Sequence, residues 1–244
     1  MSSSPIKTLT VVIPALNEDG RIADTVNEVL EICRCELGGF EIVLIDDGST
    51  DQTGALMEQL ARQDPRIRVV HHGAPRGVGA GFLGALDRAQ FDSITLVPGD
   101  NAYRADGIRR LVEKVGTADI VISYRDNQSD RSVLRSGMSH TLKTILNILF
   151  GFRLHDYHSM IVYPVRWLRK FDLEAQGYGY QIEAVVSLLQ LGLTYDQVPV
   201  SLNAELRGSS RALRLRTYFE LGLTIVRLLF RWPIRNIRRS KDST

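Results

Sequence analysis

The sequence predicts an α/β fold in which helices cover both faces of a mostly parallel β-sheet. Short apolar runs alternate with helical segments of about ten residues, as in sheets built from consecutive βαβ units. The chain has 244 residues, of which 44% are hydrophobic and 24% charged, enough for one substantial core. We therefore expect one α/β domain over residues 1–211 and a basic, amphipathic segment over residues 212–244.

The individual elements follow from hydrophobic period and turn residues. An apolar run from Leu9 to Ile13 predicts the first strand, and Pro14 is expected to end its ladder pairing. Apolar residues spaced by three and four then predict a helix. In chain order we expect strands at 9–13, 41–45, 66–71, 93–97 and 119–123, and helices at 21–35, 77–90, 107–115 and 142–152, with another helix opening at 178.

The second apolar run ends in two adjacent carboxylates, Asp46 and Asp47, and then in a helix-start pattern. Gly48 suits the turn, and Ser49 or Asp51 suits the N-cap. Ligands of open α/β sheets bind at the carboxyl ends of strands. Carboxylates there accept hydrogen bonds from a sugar hydroxyl or a base amide and help to hold a divalent cation. The alternative is an Asx-type turn that only caps the helix.

The ends of the first two strands carry a family resemblance. Val-Val-Ile-Pro-Ala-Leu-Asn-Glu at 11–18 and Ile-Asp-Asp-Gly-Ser-Thr-Asp at 45–51 resemble the inverting family 2 glycosyltransferases, in particular their polyprenyl (dolichyl) phosphate sugar transferase branch. The resemblance continues past residue 207. It implies a GT-A fold with a Rossmann-like sheet, a UDP- or GDP-linked sugar donor, and Mg²⁺ or Mn²⁺. It also implies a donor site that contains Pro14, Asn17, Glu18, Asp46, Asp47, Arg76 and Gly77.

A glycine-rich segment offers a competing interpretation. Gly79-Ala-Gly81-Phe-Leu-Gly84 matches the dinucleotide fingerprint G-x-G-x-x-G, with Asp100 as a possible ribose ligand, which would suggest a dehydrogenase. That fingerprint normally opens the first βαβ unit, whereas here it follows the third strand. The acidic ends of the first two strands would also repel a pyrophosphate, so the dehydrogenase hypothesis is the weaker one.

The fourth strand ends at Pro98-Gly-Asp-Asn, where the family has its Asp-x-Asp metal motif. Pro98 stands in place of the first Asp and Asp100 in place of the second. One carboxylate can suffice for Mg²⁺ or Mn²⁺ when substrate phosphates and waters complete the shell. The resemblance therefore makes Asp100 the catalytic metal ligand, with Asn101 or Asp47 as helpers. The alternative is a turn without chemistry, which would leave a non-catalytic nucleotide-sugar binding protein.

Basic residues follow the fifth strand and recur near residue 210. The planar guanidinium of arginine binds phosphate bidentately, although scattered arginines often form only a solvated basic face. The family places such residues at the phosphate of its acceptor, and residues 207–211 resemble its Arg-x-Gly-x-Ser-Lys stretch. The expected acceptor-phosphate residues are Arg125, Arg131, Arg135, Ser139, Arg207, Ser209 and Arg211.

A phosphate acceptor is already anionic near neutral pH and needs no general base, whereas a hydroxyl acceptor does. Asp156 matches an Asp of the family and is the candidate base for a hydroxyl acceptor. Gln181 and Glu183 resemble the family's acceptor-side residues, although Glu183 is equally suited to stabilising the first turn of a helix. Neither His158 nor Ser159 is assigned a role.

The end of the chain is basic and amphipathic. Residues 211–244 contain eight Arg and one Lys against Glu220 and Asp242. A helix over 213–235 with a narrow polar stripe suits a membrane interface or, alternatively, packing on the core. No segment has the length and apolarity of a membrane-spanning helix or a signal peptide. Cys33 and Cys35 diverge on the first helix, so no disulfide is expected and a reducing compartment fits.

Together these patterns predict an inverting glycosyltransferase that moves a sugar from a nucleotide diphosphate to a polyprenyl phosphate. It would lie peripherally at the cytoplasmic face of the membrane, with no nucleic-acid partner. The alternatives are a family 2 transferase acting on a glycan or small-molecule hydroxyl, and a non-catalytic nucleotide-sugar binder. The sequence determines neither the sugar, nor the base, nor the oligomeric state.

Overall fold

A computed structural model describes residues 6–126, 133–171, 173 and 179–203, with residues 133–138 described by their backbone alone. In this part of the chain, strands and helices alternate as the sequence predicts. The strands are β1 Thr8–Ala15, β2 Gly39–Asp46, β3 Ile67–His71, β4 Ser93–Leu96, β5 Ile120–Arg125, β6 Ile161–Pro164 and β7 Tyr195–Val200. The helices are α1 Ile22–Glu36, α2 Thr53–Gln63, α3 Val78–Arg88, α4 Ala105–Glu113, α5 Val133–Phe150, α6 Val165–Leu168 and α7 Gly179–Gln190.

The strands form one sheet in the order β3-β2-β1-β4-β6-β5-β7. Strand β6 runs antiparallel to β4 and β5, and the other neighbouring pairs are parallel. The prediction of a mostly parallel sheet is confirmed. Because parallel neighbours end at the same edge, the residues that follow β1, β2 and β4 come together there.

Strand β1 extends beyond its predicted end. Pro14 pairs in register with Ile45, and Ala15 pairs with Asp46. Proline lacks only the donor, so the carbonyl of Pro14 still accepts a hydrogen bond of 3.1 Å from the Gly99 amide. The expectation that Pro14 ends the pairing was therefore wrong, and the sheet delivers Ala15 to its carboxyl edge.

Two apolar layers lie on opposite faces of the sheet, since successive strand residues point to opposite sides. Val12 packs with α3, α5 and α7 through residues such as Phe82 and Leu146. Its neighbours Val11 and Ile13 pack on the other side with α1, α2 and α4. The predicted covering of both faces is confirmed, and the two layers hold the strand ends rigid.

The two cysteines lie apart on α1, with Cys33 buried and Cys35 exposed. Across the described residues, no helix combines the length and the apolarity needed to cross a membrane. The predicted C-terminal helix lies outside the described residues.

Candidate active site

The loop after β1 is tied to the loop after β2. Asn17 adopts a φ of 58°, a left-handed conformation that asparagine tolerates better than most residues. Its Oδ1 accepts a hydrogen bond of 2.8 Å from the Thr50 amide, and its own amide donates to Ser49 Oγ at 3.1 Å. The Glu18 amide donates to Thr53 Oγ1 at 2.8 Å. The predicted donor residues Asn17 and Glu18 therefore have fixed backbones at the carboxyl edge.

Asp46 is buried and accepts hydrogen bonds on both oxygens. Oδ1 accepts from the Ser49 amide at 2.9 Å, and Oδ2 lies 2.9 Å from His71 Nδ1. The other ring nitrogen of His71 lies 3.0 Å from Glu58 Oε1. Burial alone would raise the pKa of Asp46, but the hydrogen bonds from Ser49 and His71 outweigh it and lower that pKa. The hydrogen bond to Asp46, and to a smaller extent the one to Glu58, raise the pKa of His71, which favours its cationic form.

Asp47 is engaged by the loop that precedes α3. Its Oδ1 lies 2.7 Å from His72 Nδ1 and accepts a hydrogen bond of 2.9 Å from the Arg76 amide. Its Oδ2 accepts from the Gly77 amide, also at 2.9 Å. Asp46 and Asp47, which were predicted for the sugar-donor site, thus stabilise the neighbouring loops and also lie at the carboxyl edge of the sheet. Arg76 and Gly77, also predicted for the donor site, are brought next to Asp47 by its carboxylate.

The turn after β2 has the predicted form. Gly48 has a φ of 80°, and a Cβ placed on it would lie 3.0 Å from the Ala74 backbone. Glycine is needed there for both reasons. Of the two predicted caps, Asp51 accepts a hydrogen bond of 2.9 Å from the Thr53 amide at the start of α2, although Gln52 occupies the N-cap position. The Ser49 hydroxyl instead accepts from the loop after β1.

Asp100 lies in the turn that follows β4. Its Oδ1 accepts a long hydrogen bond of 3.2 Å from the Ala102 amide. Gly99 is tightly enclosed, since a Cβ there would meet Ala15 Cβ, Ile22 Cδ1 and the Pro14 carbonyl at 3.0 Å each. This close packing holds Asp100 beside the end of β1.

The residues around Asp100 fit a cation that is held mainly by substrate. Within the described part of the chain, no three His, Cys, Asp or Glu side chains group as a metal site. Of the two expected helpers, Asp47 is engaged by His72 and two amides, whereas Asn101 Oδ1 is buried without a hydrogen-bond partner among the described residues. Asp100 is therefore the carboxylate left to meet a metal, and phosphates and waters would complete the shell.

The acceptor half contains an ion pair. Arg125 ends β5, and its Nε and Nη2 lie 2.9 and 2.7 Å from the same Oδ2 of Asp156. The other oxygen of Asp156 accepts from the His158 amide at 2.9 Å. Burial alone would lower the pKa of Arg125, but the attraction of Asp156 outweighs it and raises that pKa. The predicted acceptor cation and the predicted base are thus paired with each other.

A buried hydroxyl cluster lies behind this pair, and the sequence did not reveal it. Ser159 Oγ lies 2.6 Å from Ser123 Oγ and 3.4 Å from the Tyr103 hydroxyl. Gln181, predicted on the acceptor side, donates to the Ser159 carbonyl at 3.0 Å. Glu183 is buried in the first turns of α7. The cluster therefore links β5, α7 and the segment that carries Asp156.

The remaining predicted residues lie on α5 or outside the described part of the chain. Ser139 is exposed on α5, and Arg135 belongs to the same helix. The others lie outside the described residues: Arg131, Arg207, Ser209 and Arg211, together with residues 212–244. Sequence reasoning also missed His71 and His72. The signal that could have found them is two adjacent histidines at the end of the third strand, matching the two adjacent acids at the end of the second.

The fold and the acidic carboxyl edge define the GT-A class of sugar-transfer proteins. A crystal structure of glucosyl-3-phosphoglycerate synthase from Mycobacterium tuberculosis in complex with Mn²⁺, UDP-glucose and phosphoglyceric acid matches with a TM-score of 0.70. The match covers 91% of this chain and 80% of that chain at 19% sequence identity, which supports the fold alone.

Residues 10–176 match the model of glycosyl transferase family 2, and the chain belongs to that family. Polyprenol monophosphomannose synthase of Mycolicibacterium smegmatis is 29% identical, over 85% of this chain and 82% of the relative. Undecaprenyl-phosphate mannosyltransferase of Micrococcus luteus is 28% identical, over 84% of this chain and 87% of the relative. The family expected from the ends of the first two strands is confirmed.

Proposed function

We propose that this protein is an inverting glycosyltransferase that moves a sugar from a nucleotide diphosphate to a polyprenyl phosphate. The observation that carries the proposal is the meeting, at one edge of the sheet, of the acidic loops after β1, β2 and β4 with Arg125 at the end of β5. Acidic loops on one side of this edge suit a donor with hydroxyl and amide groups, and an arginine on the other side suits an acceptor with a phosphate.

The donor is a UDP- or GDP-linked sugar in this proposal. Asn17, Glu18, Asp46 and Asp47 surround the nucleoside side, and the loop that presents Arg76 and Gly77 approaches the diphosphate. Arg76 is exposed, and among the described residues its side chain has no ion-pair partner. It is therefore available to an anion. The complex of the structural neighbour with UDP-glucose supports this type of donor.

Asp100 would hold Mg²⁺ or Mn²⁺. When bound, such a cation neutralises the negative charge that accumulates on the diphosphate as the sugar leaves. The neighbour's complex with Mn²⁺ supports a divalent metal. The protein's own contribution is to keep Asp100 beside the end of β1, where Gly99 allows close approach.

A phosphate is the acceptor that best fits Asp156. A general base needs a carboxylate free to take a proton, whereas one oxygen of Asp156 is engaged by Nε and Nη2 of Arg125 and the other accepts a hydrogen bond from the His158 amide. A phosphate oxygen attacks the anomeric carbon without a base. In this proposal the guanidinium of Arg125, held in place by Asp156, orients that phosphate. The names of the two relatives, polyprenol monophosphomannose synthase and undecaprenyl-phosphate mannosyltransferase, support this choice.

The lipid part of the acceptor would meet an apolar surface on α5. Ile145, Ile148 and Leu149 are exposed on neighbouring turns of that helix. Since α5 has no acidic residue, an anionic membrane would not repel it. In this proposal the protein lies on the inner face of the membrane, where Arg131, Arg135, Ser139 and residues 207–211 also serve the acceptor phosphate.

A transfer assay with paired acceptors tests the proposal. Radiolabelled UDP- and GDP-sugars are incubated with Mn²⁺ and either a polyprenyl phosphate or the polyprenol of the same chain length. We expect product from the phosphate alone, with inverted anomeric configuration by NMR. If the protein instead transfers sugar to the free hydroxyl of the polyprenol, and Asp156→Asn abolishes that transfer, the enzyme is hydroxyl-directed. Binding of UDP or GDP without transfer to any acceptor would identify a nucleotide-sugar binder.

A further inference from the structure

We propose that His72 is a positioning residue of the donor site that acts through Asp47 on the backbone of Arg76 and Gly77. The inference rests on the proposed function, because that proposal places the donor beside Arg76. His72 itself touches no donor in this arrangement. Its effect passes through one carboxylate and two amides.

The strand register creates the pair. Strands β2 and β3 are parallel with Asp46 opposite His71, so two adjacent acids face two adjacent histidines. Successive residues of a strand point to opposite faces. Asp46 and His71 therefore meet Glu58 of α2 on one face, whereas Asp47 and His72 meet the loop before α3 on the other. The Asp47 and His72 side chains are only 12% and 10% exposed, so water competes little with their contact.

The carboxylate of Asp47 organises the start of α3. It accepts the amides of Arg76 and Gly77 at 2.9 Å each, while His72 Nδ1 lies 2.7 Å from Oδ1. Gly77 is the N-cap residue of α3, has a φ of 88°, and supplies no side-chain cap of its own. Hydrogen bonds to an ionised carboxylate are stronger than neutral ones. Asp47 thus fixes these two amides, and His72 fixes the carboxylate.

The consequence falls on Arg76, whose backbone is held while its side chain is exposed. The same loop also contacts the end of β2 and the turn after it. The Ala74 backbone packs on Gly48, and the His72 amide donates to the Asp46 carbonyl. A guanidinium binds an anion bidentately only in a narrow range of orientations. Removal of the His72 ring would take away one of the three contacts that hold the Asp47 carboxylate, and Arg76 would then present its cation less often in the binding orientation.

A double-mutant cycle separates positioning from general stability. The variants are His72→Ala, His72→Asn, Arg76→Ala and the double His72→Ala/Arg76→Ala, and the probes are UDP and GDP with Mn²⁺ in calorimetry. We expect His72→Ala to weaken the tighter-binding nucleotide about tenfold and to raise the donor KM with little change in kcat, as for lost uniform binding. Asn keeps an amide donor near the position of Nδ1, so His72→Asn should recover most of the affinity.

The decisive outcome is coupling. If His72 acts through Arg76, the double variant binds no more weakly than Arg76→Ala alone, because residues in one network are not additive. Multiplied losses in the double variant would overturn the proposal. So would equal affinity of His72→Ala and the unaltered protein.

A second measurement needs no nucleotide. Amide hydrogen exchange at Arg76 and Gly77, followed by NMR, should be faster in His72→Ala than in the unaltered protein, and close to normal in His72→Asn. Glu58→Ala is the matched control, since it removes a partner of His71 and leaves His72 in place. Unchanged exchange in His72→Ala refutes the positioning role. Failure of the unaltered protein to bind UDP or GDP refutes the proposed function instead, while the exchange result still decides the role of His72.

Discussion

Arg125 Nε donates a hydrogen bond to Asp156 Oδ2 and Nη2 forms an ion pair with the same oxygen, and the two side chains are only 13% and 7% exposed. The pair joins the end of β5 to the segment before β6, two parts of the chain about thirty residues apart. Breaking a buried pair leaves a charge without a partner, which costs more than the pair itself contributes. The contact therefore carries both a stability consequence and a chemical one.

The stability consequence is tested with Asp156→Ala. We expect the free energy of unfolding to fall by about 3 kcal/mol or more, since the largely buried cation of Arg125 would lose its contacts with the Asp156 carboxylate. Urea unfolding measures the change. Asp106→Ala is the control, because Asp106 pairs with Arg104 and Arg110 at the surface and should cost under about 1 kcal/mol. Equal losses in the two variants would mean that the Arg125 pair is effectively solvated.

Metal dependence is tested with Asp100→Ala. We expect kcat to fall at least about a hundredfold, because a cation at the leaving diphosphate supplies several kcal/mol of transition-state stabilisation. EDTA should inactivate the unaltered protein, and Mn²⁺ or Mg²⁺ should restore it. Asp106→Ala again serves as control, as an exposed acid on the following helix. Full turnover of Asp100→Ala, or full activity in EDTA, would remove Asp100 from the metal role.

The packing of the turn after β2 is tested with Gly48→Ala. Gly48 and Gly116 have similar φ angles, 80° and 83°, but a Cβ on Gly116 would meet nothing within 4 Å. Gly116→Ala therefore measures the cost of the left-handed conformation for a residue with a Cβ, about 1–2 kcal/mol. We expect Gly48→Ala to cost at least about 1 kcal/mol more in urea unfolding, since its Cβ presses on the Ala74 backbone. Equal costs would show that the loop at Ala74 yields freely.

The pH dependence of stability is tested with His71→Gln. The pKa of His71 is raised in the folded state by Asp46 and Glu58, so its contribution is complete below its unfolded pKa of about 6.5. That contribution is lost as pH rises through the folded pKa. The difference in free energy of unfolding between the unaltered protein and the variant should thus be largest near pH 6 and shrink towards pH 9. The His71 side chain is 45% exposed, so we expect this difference in free energy of unfolding to stay below about 1 kcal/mol. A difference that grows with pH contradicts this assignment.

Lipid contact by α5 is tested with Ile148→Glu. Ile148 and Ile6 are 76% and 77% exposed, but Ile6 precedes β1, at the edge of the sheet opposite the site. In sedimentation with anionic liposomes we expect Ile148→Glu to weaken binding several-fold and Ile6→Glu to leave it unchanged, because a buried charge opposes insertion into the interface. Equal binding by the two variants would exclude α5 from the membrane surface.

Much of the fold was accessible from hydrophobic period alone. The five strands expected in the first half of the chain were found within a few residues, because alternating or continuous apolar runs leave little choice of conformation. The end of β1 was misplaced, since a proline removes one donor and not the pairing itself. The insertion of β6 between β4 and β5 was not predicted, because strand order depends on contacts remote in sequence.

The sequence by itself determined the family and the positions of the acidic strand ends, since both are local patterns of residue type and spacing. Only the tertiary structure decided what each carboxylate touches. Asp47 meets His72 because β3 lies beside β2, and Asp156 meets Arg125 because β6 pairs with β5. The physical reason is that a buried carboxylate must be satisfied by whatever donors its neighbours supply, and those neighbours are set by packing and not by the local sequence.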